Sequence, residues 1–208
     1  MNEAQTIETV GQQVAVMEDR AGKYLTFKLA EEEYGIEILK VREIMGLMPV
    51  TSVPQTPVYV RGVINLRGKV IPVVDLRTKF GMQAIEDTEE TCIIVVDVST
   101  DGQVANMGIV VDRVEEVLDI VAGDIEDTPS LGAGVNTDFI LGMGKVGERV
   151  KMLLDIDRVL LSATIATESI LTSEREIKSN TADSSEKSAE AESKDSDDTE
   201  EKEEENRE

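Results

Sequence analysis

The sequence predicts a mainly β protein, two small β-barrels packed together with short helices, followed by a disordered acidic C-terminal tail. Three observations carry that expectation. Short apolar runs rich in Val and Ile alternate with Gly, Pro and acidic turns, the pattern of short strands. A ten-residue pattern occurs twice, GIEILKVREI at 35–44 and GIVVDRVEEV at 108–117, with seven positions agreeing in identity or class at a constant offset of 73. Beyond about residue 172 the large apolar residues that a core requires nearly vanish.

Residues 1–22 are polar with scattered apolar positions and read as a flexible arm. Tyr24, Phe27 and Leu29 lie in a β-like run, Glu31–Glu33 make a polar turn, and Tyr34–Ile36 begin a second strand. Ile38–Met45 fits a helical turn or a strand equally, because periodicity does not decide over so short a run. Met48–Val53 reads as extended, and Pro54 and Pro57 punctuate the approach to a hairpin.

In that hairpin two apolar runs, Val63–Leu66 and Val70–Val74, flank Arg67-Gly68-Lys69. Alternation places Ile64 and Leu66 on one face and Val63, Asn65 and Arg67 on the other. Pro72 has no N–H to give to a ladder, so its strand is expected to be an edge or to carry a bulge. An Asn and an Arg at the tip of an apolar hairpin fit a docking surface, and they fit a barrel hairpin with a solvated turn as well. Asp75 then precedes a short helical pattern, Leu76–Phe80, that stops at Gly81.

After a polar, acidic connection at 83–90, the second block runs through the strand Cys92–Val98, a turn at Asp101-Gly102 and a strand at Met107–Val111. VVDLRTKF (73–80) and LLDIDRVL (153–160) repeat one another at an offset of 80, which puts a longer loop, around Ser130–Thr137, in the second block. Two like units of small size are expected to pack together, because neither buries much core alone. The expected boundaries are a first barrel at about 23–82, a second at about 91–154 and a closing helix at about 155–163. Residues 164–208 are expected to be weakly helical and then disordered, with fifteen acidic and six basic residues in 171–208, a net charge of −9.

Composition narrows the chemistry. The 208-residue chain carries a net charge of −22, so nucleic acid and anionic membrane are poor partners for its surface. It has no histidine, which removes triads, His-bearing metal sites and the commonest acid–base residue. Its single cysteine, Cys92, sits in an apolar run and reads as a buried, inert thiol, in keeping with a reducing compartment. Glu32-Glu33 and Glu115-Glu116 read as solvated strand or turn positions. Gly142-Met143-Gly144-Lys145-Val146-Gly147 matches GxGxxG, but the β-like run Val150–Leu154 follows where a dinucleotide site needs a helix. No signal-peptide pattern or apolar run of membrane-spanning length occurs, and a soluble, cytoplasmic protein without cofactor or metal is expected.

Four segments, EEEYGIEILKVREI (31–44), VPQTPVYVRGVINLRGKVIPVVDLRTKFG (53–81), MGIVVDRVEEVLDI (107–120) and MLLDIDRVL (152–160), make residues 22–163 resemble the CheW family of bacterial chemotaxis coupling proteins. The resemblance implies two packed SH3-like five-stranded barrels and an adaptor, not an enzyme. It implies two partners, the cytoplasmic tip of methyl-accepting chemoreceptors and the regulatory domain of the histidine kinase CheA, joined in cooperative membrane-associated arrays. In the family the receptor-facing groove lies between the barrels. Matching positions are Val41, Glu43, Gly62, Val63, Asn65 and Arg67, with Val50 and Thr51 matching the kinase contact. An intramolecular pair with Arg42 or Arg61 is the structural alternative for Glu43, and a plain turn residue the alternative for Gly62. Competing readings are the coupling domain of a CheV-type scaffold, a detached regulatory domain of the kinase, and a small-ligand-binding barrel or enzyme. The short polar tail, too small for a receiver domain, counts against the first, and the missing His and Cys chemistry against the last.

Overall fold

A computed structural model describes residues 20–100, 102–129, 137–161 and 163. The expected arm, the loop at Ser130–Asn136 and the tail therefore lie outside the described residues. The first half contains β1 (Gly22–Leu29), β2 (Glu32–Glu37), a 3-10 turn at Ile38–Lys40, β3 (Val41–Gly46), β4 (Val60–Leu66), β5 (Lys69–Asp75) and the one-turn helix α1 (Leu76–Lys79). The second contains β6 (Cys92–Thr100), β7 (Gln103–Val111), β8 (Arg113–Ile120), a 3-10 turn at Ala122–Asp124, the two-residue β9 (Ile125–Glu126), β10 (Ile140–Val146) and β11 (Arg149–Leu154). Residues 156–161 are helical. The ambiguous stretch Ile38–Met45 is thus both things in succession, a helical turn and then a strand.

The protein is mainly β, in two sheets. One has six strands in the order β8-β1-β2-β11-β10-β9, the other five in the order β3-β6-β7-β5-β4. The sixth strand is the short β9, so the expected five-stranded units hold apart from that addition. The expected boundaries need correction, because the sheets do not follow the chain halves. β1 and β2 belong with β8–β11, and β6 and β7 with β3–β5. The physical reason is visible in β6, where every residue from Cys92 to Val96 is buried. A strand covered on both faces has to be central, and β6 finds its second neighbour in β3 of the other half.

The duplication reappears as matched geometry. Gly35 of β2 lies opposite Leu153 in a parallel ladder, and Gly108 of β7 lies opposite Val73 in the same way. Both hairpins are bulged at the equivalent place, between Val60 and Gly62 and between Ile140 and Gly142. Asp75 N–H donates to the Tyr59 carbonyl and Asp155 N–H to the Phe139 carbonyl, each at 2.8 Å. Each Asp then caps a helix, its side chain accepting from the N–H of Thr78 or Arg158 at 3.1 Å. GxGxxG occupies β10 and its turn, with β11 following.

Alternation divides the buried residues among three cores. Leu25, Phe27 and Ile36 of the six-stranded sheet meet Ile94, Val96 and Ile109 of the other, closed over by Leu76, Ile156 and Leu160 from the helical segments. Ile64, Ile71, Val73, Ile93, Val95 and Val110 form a core belonging to the five-stranded sheet. Tyr24, Ile120, Ile125 and Leu153 do so for the six-stranded one. Cys92 is buried, and burial pushes its thiol pKa up.

Two expectations about polar and proline positions change. Pro72 sits in β5, which is flanked by β4 and β7 and is not an edge strand. It is tolerated because the β7 ladder begins one residue later, at Val73, leaving Lys69–Pro72 paired to β4 alone. Glu33 is not solvated. It is 8% exposed, contacts the ammonium of the 5%-exposed Lys151, and also lies 2.6 Å from Arg149 and 3.9 Å from Lys28.

Candidate functional site

The β4–β5 hairpin closes with a two-residue turn, Leu66 opposite Lys69. Both turn residues have positive φ, +51° at Arg67 and +83° at Gly68, as a type I′ turn requires. Glycine takes this conformation freely, whereas for Arg67 it carries a cost of about 1 kcal/mol. Asn65 offsets part of that cost, since its side-chain oxygen accepts the Gly68 N–H at 2.8 Å and ties the turn down.

The turn aims Arg67 across the sheet at Glu43, with Nη2 to Oε1 at 2.6 Å. Glu43 reaches this position because β3 is bulged between Val41 and Glu43. The Arg67 side chain is 78% exposed, so the pair contributes only about 0–1 kcal/mol to the fold. Below it opens a groove of about 440 Å³ whose floor includes Leu66, Ile71 and Val95 and whose polar rim includes Arg42, Lys69 and Asn106. Asp97 organises that rim, accepting from Arg42 Nε and Asn106 Nδ2 at 2.7 Å each. The Asp97 carboxylate in turn raises the pKa of the Arg42 guanidinium. An apolar floor under a rim of fixed charges has the chemistry to take an amphipathic segment carrying its own charges.

The other candidate positions divide differently. Val41 is half-buried opposite Val96 and packs on the shared core. Gly62 has φ +137° inside β4, and a Cβ built there would lie 2.0 Å from the Thr51 carbonyl oxygen. Its close approach is thus to Thr51 of the same chain, and its place inside β4 corrects its reading as a turn. Val63 and Thr51 exchange two backbone hydrogen bonds of 2.9 Å, so the proposed kinase position is tied to the hairpin. Val50 is half-buried on the core of the five-stranded sheet. The partners expected for Glu43 are engaged elsewhere, Arg42 with Asp97 and Arg61 with Asp87 through two 2.7 Å hydrogen bonds. Sequence reasoning named Lys69 beside the turn but missed Asp97 and Asn106, and Arg42 as their partner, because only the β3–β6–β7 pairing brings these three to one rim. Among the described residues, no group of acidic residues and Cys can hold a metal ion, and no helix is long and apolar enough to cross a membrane.

The family model for the CheW-like domain matches residues 23–164. The chain belongs to the CheW family. It is similar to the chemotaxis protein CheW of Klebsiella aerogenes, 42% identical over 159 residues that make up 76% of this chain and 87% of that one. The chemotaxis protein CheW of Rhizobium meliloti is 36% identical over 138 residues, 66% of this chain and 86% of its own length. Among solved structures, the scaffolding protein TtCheW of Thermoanaerobacter tengcongensis aligns with a TM-score of 0.60 at 34% identity, over 67% of this chain and 92% of that one. This CheW-family chain is accordingly a chemotaxis scaffold or adaptor, and its two sheets are those of the CheW fold.

Proposed function

We propose that this chain couples methyl-accepting chemoreceptors to the histidine kinase CheA and so brings kinase activity under receptor control. The match of residues 23–164 to the CheW-like domain carries this reading. The receptor contact is assigned to the groove rimmed by Glu43 and Arg67, with Val41, Val63 and Asn65 around it and Gly62 holding its backbone in place. An apolar stripe of a receptor helix fills the floor, and its polar residues exchange with the Glu43–Arg67 pair, which costs the fold little to open. The kinase contact is assigned to Val50 and Thr51, on the regulatory domain of CheA. Because Thr51 and Val63 are bonded backbone to backbone, the two contacts share one rigid element. The protein works as a non-enzymatic adaptor in the cytoplasm, at membrane-associated receptor arrays.

Reconstitution tests this. Purified receptor signalling fragments, CheA and this protein together should give kinase activity that depends on receptor state. Kinase activity indifferent to receptors in the presence of this protein would overturn the proposal. Removing residues 173–208 should leave that control intact.

A further inference from the structure

Each hairpin pairs within its own half: β1 with β2, β4 with β5, β6 with β7 and β10 with β11. The ladders that join hairpins into sheets all cross between halves, β1 with β8, β2 with β11, β3 with β6 and β5 with β7. Neither half can complete a sheet from its own strands. The chain passes from one half to the other once, through residues 83–90, which are exposed throughout. That connection is fastened by side chains, chiefly Arg61 to Asp87, and by Arg77 Nε donating to the Gln83 carbonyl at 3.2 Å.

Because the halves are duplicates, something has to prevent like from pairing with like. The two parallel ladders differ in buried charge at one place. β2 presents Glu33 beside Lys151 of β11, while the equivalents at offsets of 73 and 80 are Asn106 and Ile71, which border the groove together. Two first halves paired together would set Glu33 against Ile71, and two second halves would set Lys151 against Asn106. Two second halves leave Lys151 buried without a counter-ion, and two first halves leave Glu33 only Lys28 of its own half at 3.9 Å, both unfavourable, whereas unlike halves satisfy both charges.

We propose that the surfaces joining the halves also fit a second copy of this chain, by reciprocal exchange of halves across the 83–90 connection, with the buried Glu33–Lys151 pair selecting the unlike half. An exchanged dimer regenerates every ladder of the closed monomer. It also builds each groove from two copies, with Glu43 and Arg67 from one and Val95 and Asn106 from the other.

Charge reversal in the full chain tests the selection. E33K and K151E each place like charges together in a closed monomer. In an exchanged dimer containing one of each, one junction has the pair inverted and the other has it unchanged. Refolding the two variants together at equal concentration should give, by native mass spectrometry, a one-to-one dimer about tenfold more abundant than either variant's own dimer. Each variant refolded alone should give about tenfold less folded protein than the unmodified chain, and the E33K/K151E double variant should refold as a monomer. A mixed dimer no commoner than the like dimers overturns the proposal. So does a single variant that refolds as a monomer as well as the unmodified chain, or a double variant that does not refold.

Discussion

The two hairpins occupy equivalent places in the two sheets and have been put to different uses. In the five-stranded sheet the charges lie at the surface, Arg67 on Glu43 over a floor containing Ile71. In the six-stranded sheet the charges lie underneath, Lys151 on Glu33 at the position equivalent to Ile71, with Lys28 and Arg149 around them. The turn there is Gly147-Glu148, so Gly147, with φ +62°, stands where the first hairpin has Arg67. Register pairing also puts Lys145 opposite Val150 as Asn65 is opposite Val70, so the residue equivalent to Asn65 is a lysine. Buried charge serves the assembly of the fold and leaves its surface self-neutralised. Exposed charge serves the fold little, and in the proposed function it is the charge a partner meets.

The sharpest way to break this contrast is to remove the buried carboxylate. Glu33→Ala leaves Lys151 buried without its counter-ion, and thermal or denaturant unfolding should register a loss of about 3–5 kcal/mol. Replacing both partners by the residues of the other sheet, E33N with K151I, should restore most of that stability, because a buried ion pair and a well-packed apolar pair are often nearly equivalent. If the double substitution is as damaging as Glu33→Ala, the junction does more than neutralise charge. Next comes Gly62→Ala. The methyl group would meet the Thr51 carbonyl oxygen at 2.0 Å and the residue would keep a φ of +137°, so a loss of about 2–3 kcal/mol is expected. Any loss of partner binding in that variant should accompany unfolding or displacement of the Thr51 segment, readable by hydrogen exchange.

Much of the fold was legible in the primary structure because it is written locally. Alternation marked the strands, Asp75 and Gly81 bracketed the helix, and the β-like run after the glycines argued against a phosphate loop. Pairing between halves was not legible. The repeat says that two segments are alike, and it carries no information on which of them is the other's neighbour. The boundaries at 23–82 and 91–154 failed for that reason, and so did the solvated reading of Glu33, whose partner is 118 residues away. The site was legible in the same measure. Arg67 stood out at the hairpin tip and Glu43 only through the family resemblance, and that they meet one another depends on the bulge in β3 and on the turn beyond Asn65.

That turn gives the third and fourth tests, in which effects on stability shrink while effects on binding should not. Asn65→Ala removes the acceptor of the Gly68 N–H and should cost about 1 kcal/mol, with the hairpin loosened and receptor affinity reduced in proportion. Arg67→Gly copies the tip of the second hairpin. Glycine relieves about 1 kcal/mol of strain at φ +51°, and the chain entropy and the exposed ion pair it gives up are worth about 0.5 kcal/mol each, so the terms nearly cancel. The melting temperature should therefore hardly move. Receptor binding in a pull-down with CheA present should nevertheless fall, because Glu43 loses its partner and the groove loses its charged rim. Unchanged binding in Arg67→Gly would mean that the two tips are functionally alike, and that a residue held in a costly conformation serves neither the fold nor the partner.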